Sequence, residues 1–218
     1  MRAKIAIRTV AATCVAAVWG TSALAAGADG SGIYIGVGAG ASRGKIDDGS
    51  INQSLLSLGF SNASTTKSEN STAYKAFVGY SFNRYIAIEG GYFDLGKFSF
   101  DSTVQPPGTL HGEIKASGFN LDAVLSYPFM EGFSVFARAG VQNAKSKANF
   151  SGTGSVVVVQ PESSETKTDW KAGLGLGYEF SMGIGVRGEW ERYRIADGTN
   201  SGDKSNVDVF GLSIYYKF

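Results

Sequence analysis

The last nine residues, Phe210-Gly-Leu-Ser-Ile-Tyr-Tyr-Lys-Phe218, place an apolar side chain at every second position. Strand side chains point alternately to opposite faces, so Phe210, Leu212, Ile214, Tyr216 and Phe218 share one face. Gly211, Ser213, Tyr215 and Lys217 form the other. The same period returns in seven earlier stretches, at about residues 32–43, 72–82, 85–92, 113–127, 133–142, 170–180 and 184–191. Beyond residue 25 no apolar run approaches the roughly 18 residues that a spanning helix needs. If such a chain sits in a bilayer it must close into a barrel, because hydrocarbon offers no partner to an unpaired backbone group.

The connections alternate in length. Asn83-Arg84, Pro128–Gly132 and Met182-Gly183 make short turns, and the links after the first, third, fifth and seventh stretches are long. Pro106, Pro107, Pro128 and Pro161 all fall in turns or loops, as residues that cannot donate to a ladder should. Short periplasmic turns and long extracellular loops predict an all-β fold, an eight-stranded antiparallel up-and-down transmembrane β-barrel with both termini periplasmic. A soluble barrel would turn its apolar face inward. Three features favour the inverted arrangement. The apolar rows of the fifth, sixth and eighth stretches carry no charge. Their opposite rows mix glycine with charges of both signs. The apolar rows end in aromatics, with Tyr80, Phe82, Tyr127, Tyr178 and Phe180 near the turns and Trp170 and Trp190 near the loops. Two such girdles bounding an apolar band match a bilayer.

The first 25 residues have the layout of a secretory signal peptide: basic Met1–Arg8, apolar Thr9–Gly20, and a small-x-small site at Ala23-Leu24-Ala25. Cleavage there removes Cys14, the one cysteine, and with it any disulfide or thiolate chemistry. It leaves residues 26–218 as a single barrel domain with 17 basic and 19 acidic residues. No basic patch points to nucleic acid.

Three pieces in order resemble the OmpA-like transmembrane domain family and the related opacity-type surface antigens. They are Ile88-Glu-Gly-Gly-Tyr-Phe-Asp-Leu-Gly96, Leu125-Ser-Tyr-Pro-Phe129 and Val186-Arg-Gly-Glu-Trp-Glu-Arg-Tyr193. The resemblance implies a monomer in the outer membrane of a Gram-negative bacterium. Its role would be non-enzymatic, in envelope structure and in loops presented for adhesion or for a host or surface ligand. Outer-membrane lipid and lipopolysaccharide would surround it. The strand ending at Phe218 is similar to the assembly signal read by the barrel-assembly machinery, carried by Phe210, Leu212, Ile214, Tyr216 and Phe218. A chain stopping there is expected to lack the family's peptidoglycan-binding domain.

The expected interior row holds Glu89, Asp122, Arg138, Arg187 and Glu189, with Lys75, Lys171, Glu179, Glu191 and Lys217 nearer the ends. Charges removed from water must be paired. By resemblance, Glu89, Arg138 and Arg187 match a family ion-pair cluster, while Val124 stands where the family often has a lysine. That cluster reads either as a structural plug or as the gate of a narrow porin-like channel for ions or small solutes.

Other motifs carry less. Gly36-Val-Gly-Ala-Gly40 and Gly173-Leu-Gly-Leu-Gly177 keep strand period with no helix after them, so they fit a tight lumen better than a phosphate loop. His111, the one histidine, shows no serine and carboxylate partners and makes no metal site. No catalytic residue, metal or cofactor is expected. In the first loop Ile51, Leu55 and Leu58, between Ser50 and Gly59, predict a short amphipathic helix. Val156–Val159 in the third is an aliphatic run expected to pack against such a patch, or else to meet a partner or lipopolysaccharide.

Overall fold

A computed structural model describes residues 30–45, 48–159, 161–196 and 204–218; the expected leader lies outside them. The elements in chain order are β1 (Gly32–Gly44), α1 (Asp48–Ser57), β2 (Asn62–Ser68), β3 (Asn70–Ser81), β4 (Ile86–Gln105), β5 (Gly108–Met130), β6 (Phe133–Gly154), β7 (Glu162–Glu179), β8 (Ile184–Ala196) and β9 (Lys204–Lys217). Each strand pairs antiparallel with its neighbours around a ring. The ring closes where β1 meets β9, from Tyr34 opposite Lys217 to Gly44 opposite Val207. β2 continues the line of β3 along upper β4, so the ring has eight walls.

At the turn end the connections are as short as the spacing predicts. Asn83 Oδ1 accepts hydrogen bonds from the Tyr85 and Ile86 amides at 2.8 and 2.9 Å, pinning the β3–β4 turn. Gly132 and Gly183 take positive φ (74° and 78°) in the other two.

The opposite end is more regular than the sequence suggests. The segments expected as the second and third loops run on as paired strands. β4, β5 and β6 are 20, 23 and 22 residues long, about twice what a bilayer crossing needs. They project as a ribbon whose β4–β5 tip is Pro106-Pro107. The pattern is hard to read there because β4 slips register between Asp94 and Lys97. Gly96 sits at φ +79°, and its amide donates to Asp94 Oδ1 at 2.8 Å. Below this bulge Glu89, Phe93 and Leu95 face inward; above it Phe98, Phe100 and Val104 do. A β-bulge shifts the alternation in this way.

The predicted helix is α1. Gly59 ends it in the left-handed conformation (φ +97°), and the Phe60 amide bonds back to the Leu55 carbonyl at 3.4 Å. Leu55 is buried and Ile51 packs on the cluster at the barrel mouth, while Leu58 stays exposed. At the β6–β7 tip the valine run alternates, with Val157 and Val159 exposed and Val156 and Val158 half-buried, Val156 lying beside Gly108 and Gly152.

Around the barrel the two faces separate as the alternation requires. Ile35, Val78, Leu121, Leu174 and Leu212 are exposed on the outside. Aromatic pairs bound this band: Tyr80 with Phe82, Tyr178 with Phe180 and Tyr216 with Phe218 at the turn end, Tyr92 with Phe119 at the other. From Phe119 to Tyr127 is eight residues, about 20 Å of height for a strand tilted near 40°.

Glycines separate the faces too. A Cβ at lumen-facing Gly79 would run into the Tyr34 ring, whereas one at lipid-facing Gly90 meets nothing nearer than 3.8 Å. Gly79→Ala is therefore expected to cost about 1–3 kcal/mol through overpacking. Gly90→Ala should cost less than about 0.5 kcal/mol. Urea unfolding of the refolded variants in lipid vesicles, followed by tryptophan fluorescence, would separate the two.

Candidate functional site

Lumen-facing charges meet in one layer. Arg138 on β6 lies at its centre, with Nη1 2.6 Å from Glu89 Oε1 and 3.2 Å from Glu191 Oε1, and Nη2 2.9 Å from Glu189 Oε2. Lys171 on β7 spans Asp122 Oδ2 (2.8 Å) and Glu191 Oε1 (2.9 Å). Lys75 on β3 reaches Glu189 at 2.6 Å and Glu191 at 3.3 Å. Arg187 on β8 donates to Glu89 Oε2 at 2.7 Å. Four carboxylates thus face four cations. Hydroxyls from Tyr34, Tyr193 and Ser213 donate to Glu89, Glu191 and Glu189 at 3.1, 3.0 and 2.6 Å.

The strand register explains how side chains from separate walls meet. Gly140 stands between Asp122 and Lys171 in the ladders, and Gly173 between Arg138 and Glu191. Each glycine leaves a bare patch of wall over which a long side chain bends to its partner. A Cβ on Gly140 would run into Asp122. The glycine-rich runs therefore serve the ion layer, in keeping with the lumen reading of their period.

Apolar layers lie on both sides of these charges. Toward the turns are Tyr34, Phe77, Ala87, Val124, Phe136 and Tyr215. The Arg187 guanidinium is embedded there, 4.4 Å from the Tyr215 ring centroid and 5.1 Å from that of Tyr34. Toward the ribbon lie Phe93, Leu95, Phe98, Tyr193, Ile195, Val207 and Val209, with Ile51 of α1 packed on them. Beside Lys75, Glu189 and Glu191 a void of about 20 Å³ is lined by these walls, the size of a single water. Arg138 and Glu89 side chains are each 1% exposed.

The structure brings all five interior residues read from the sequence, Glu89, Asp122, Arg138, Arg187 and Glu189, into the layer, with Arg187 at its turn-side edge. Lys75, Lys171 and Glu191, expected nearer the ends, belong to the layer itself. Strand tilt and stagger set height, which position along the chain does not show. Tyr34, Tyr193 and Ser213 carried no charge to flag them, although their inward parity was legible. Val124, where a family lysine was expected, lies in the lower apolar layer, and Lys171 from β7 supplies the cation on Asp122.

Outside the lumen, Phe210, Leu212, Ile214 and Tyr216 face outward on β9, and Phe218, one residue past its end, is also exposed. Trp170 is exposed, and Trp190 is half-buried with its Nε1–H donating to Asp208 at 3.2 Å. His111 is better provided than its sequence neighbours suggest. Its Nδ1 lies 2.7 Å from Asp101 Oδ1, and Ser151 is its ladder partner on β6. The pair is open to solvent, with His111 47% and Asp101 70% exposed. The ladder there also occupies the backbone amides that an oxyanion site would need.

The profile of the OmpA-like transmembrane domain family matches residues 28–218. Outer membrane protein A of Serratia marcescens is 30% identical over 146 residues, which cover 66% of this chain and 38% of that protein. The chain therefore spans well under half of that relative. Among solved structures, the attachment invasion locus protein Ail of Yersinia pestis, in complex with the heparin analogue sucrose octasulfate, is similar with a TM-score of 0.50. It is 17% identical, over 86% of this chain and 99% of that one. Neisserial surface protein A is similar with a TM-score of 0.53 and 9% identity, over 85% and 97%. At such identities the likeness is one of fold.

Removing one partner from a buried ionic layer leaves the rest uncompensated. Arg138→Met is expected to lower stability by about 3–5 kcal/mol. Adding Glu89→Gln should recover part of that loss, because it removes one of the stranded charges. A double-mutant cycle by urea unfolding in vesicles measures the coupling.

Proposed function

This chain belongs to the OmpA-like transmembrane domain family, and from that footing we propose that it is a non-enzymatic structural and surface-presenting protein. Its place is the outer membrane of the Gram-negative envelope. The barrel anchors in the lipid, and what it offers to the outside is the ribbon of β4, β5 and β6 together with α1. Adhesion, or contact with a host or surface ligand, is assigned to that outer structure. Lipopolysaccharide is the lipid expected around its outer rim. During biogenesis the outward row Phe210 to Phe218 is assigned to recognition by the barrel-assembly machinery.

The layering of the lumen carries this reading. A balanced layer of eight charges lies between two apolar layers, with a water-sized void beside it. Passing a hydrated ion would mean parting Arg187 from Glu89 below and unpacking Phe93, Leu95 and Tyr193 above. That supports a plug over a gate. The assignment as non-enzymatic rests on the one histidine, whose carboxylate and hydroxyl neighbours stand on an open ribbon without oxyanion donors.

Single-channel recording of the refolded chain in a planar bilayer tests the reading, with folding verified by heat-dependent gel migration. The expected record is silent for the wild type. Discrete conductance steps that change on Arg187→Ala would overturn the plug and install the narrow, gated channel for ions or small solutes in its place.

A further inference from the structure

At the turn end the lumen opens into a vestibule of about 230 Å³, lined from all eight walls and more than ten times the void of about 20 Å³ beside Lys75. The apolar layer of Ala87, Val124, Phe136 and Tyr215 closes its inner end, with the ion layer beyond. It is therefore a blind cup, entered between the β3–β4, β5–β6 and β7–β8 turns. Its volume lies below the roughly 300–1,000 Å³ of drug-sized ligand sites, which sets the scale at a small metabolite.

Polar groups of two kinds reach into it. The first kind can hold a carboxylate. Ser134 on β6 and Arg187 on β8 stand on either side of Gly177 in the ladders. A Cβ on that glycine would lie 3.0 Å from Ser134 Oγ and 3.8 Å from Arg187 Cγ, so hydroxyl and arginine stem flank a bare patch of wall. The Arg187 side chain is 11% exposed, against 1% for Arg138, and the cavity reaches it. Ser126 on β5 lines the same cavity. Among the described residues the hydroxyls of Ser126 and Ser134 make no hydrogen bond, which leaves both as donors.

The second kind can hold an ammonium. Glu179 on β7 lines the cavity, and its Oε2 accepts from the Tyr215 hydroxyl at 3.1 Å. Among the described residues it makes no ion pair. The cations of the rim are engaged elsewhere. Lys217 Nζ donates to the Gly30 carbonyl at 2.6 Å, and Arg84 stacks on Tyr85 with Cζ 5.3 Å from the ring centroid. Tyr215 ties the two kinds together, since its hydroxyl is on Glu179 and its ring centroid lies 4.4 Å from Arg187 Cζ. Both charges border one aromatic ring, within the span of a single small molecule.

We propose that this vestibule is a binding site for a small zwitterion, an α-amino acid with a short apolar side chain. Its carboxylate takes Arg187 and the two serine hydroxyls, its ammonium takes Glu179, and its side chain lies on Ala87, Val124 and Phe136. Hydrogen bonds between charged groups are the strong ones, and the planar guanidinium suits a carboxylate. A carboxylate without an amine would leave Glu179 facing a like charge, and an amine without a carboxylate would meet Arg187. The site goes beyond surface presentation and does not depend on it. Only the compartment that the cup faces, the periplasm, rests on the topology above.

The test titrates L-valine, isovalerate (valine without its amine) and isobutylamine (valine without its carboxylate) onto refolded, isotope-labelled protein in detergent micelles, and follows amide chemical shifts. Valine is expected to give saturable shifts confined to the turn end, near Ser126, Ser134 and Glu179. It should bind at least about tenfold more tightly than either analogue. Glu179→Gln should weaken valine binding at least about tenfold and leave isovalerate no weaker. Ser126→Ala/Ser134→Ala should weaken valine and isovalerate alike. Both changes lie outside the ion layer, and heat-dependent gel migration verifies that each variant folds. Absence of saturable shifts would overturn the proposal. So would isovalerate binding as tight as that of valine, which would leave a plain anion site. Uptake of labelled valine into proteoliposomes tells this failure from failure of the plug, and none is expected. Uptake that Ser134→Phe blocks would overturn the blind cup and the plug together, whereas an impermeable barrel without valine-induced shifts sinks the site alone.

Discussion

The contact between β1 and β9 is the one on which the structure depends. Inside hydrocarbon an unpaired strand edge leaves a row of amides and carbonyls without partners, each costing several kcal/mol. Pairing from Tyr34–Lys217 to Gly44–Val207 removes both edges at once. Closure at eight walls then dictates the interior. A ring of that size leaves a lumen just wide enough to be filled by side chains, so every inward residue must fit against residues from the other walls. That is why glycine stands at Gly36, Gly79, Gly140 and Gly175, where a neighbouring aromatic ring or carboxylate lies across the wall.

An ionic filling in so narrow a space has a consequence for register. Strand side chains alternate, so sliding one wall by a single residue would move its whole inward set to the lipid face. For β6 that slide would place Arg138 in hydrocarbon, and for β8 it would expose Arg187, Glu189 and Glu191 together. A charge near the bilayer midplane costs about 2–4 kcal/mol on a barrel surface. An apolar lumen would carry no such penalty. The buried layer is thus a device for holding register as well as a filling, and its balance of four cations and four carboxylates lets it serve without leaving a net charge in the lumen.

Much of this was legible because a two-residue period survives any amount of strand tilt. The facing of Ile33 to Ala41, of Phe119 to Tyr127 and of the terminal strand follows from parity alone, as do the short turns at Asn83, Gly132 and Gly183. What parity cannot supply is height. Lys75, Lys171 and Glu191 look peripheral along the chain, yet stagger between walls brings them level with Arg138. Nor does parity survive a bulge. Tyr92 ends one clean alternation and Phe98-Ser-Phe-Asp-Ser-Thr-Val104 begins another of opposite phase, so the join reads as a loop although both halves are strand. His111 shows the same limit, since its partner Asp101 becomes a neighbour only through the long β4–β5 pairing.

The bulge at Gly96 is more than an obstacle to reading. Without it, Lys97 would keep the parity of Glu89, Phe93 and Leu95 and point into the lumen, while Phe98 and Phe100 would turn outward. With it, Phe98 joins the apolar layer that closes the outer side of the ion cluster, and Lys97 joins Lys115 and Lys147 on the outside. Two features of opposite polarity therefore hang on one glycine, whose φ of +79° and crowding against Ser71 and the Thr72 carbonyl leave no room for a side chain. The same step marks the change of surroundings. Below it the outer face meets lipid tails and must be apolar; above it that face meets head groups and water and can carry charge. A change of phase placed at that height lets one continuous strand satisfy both.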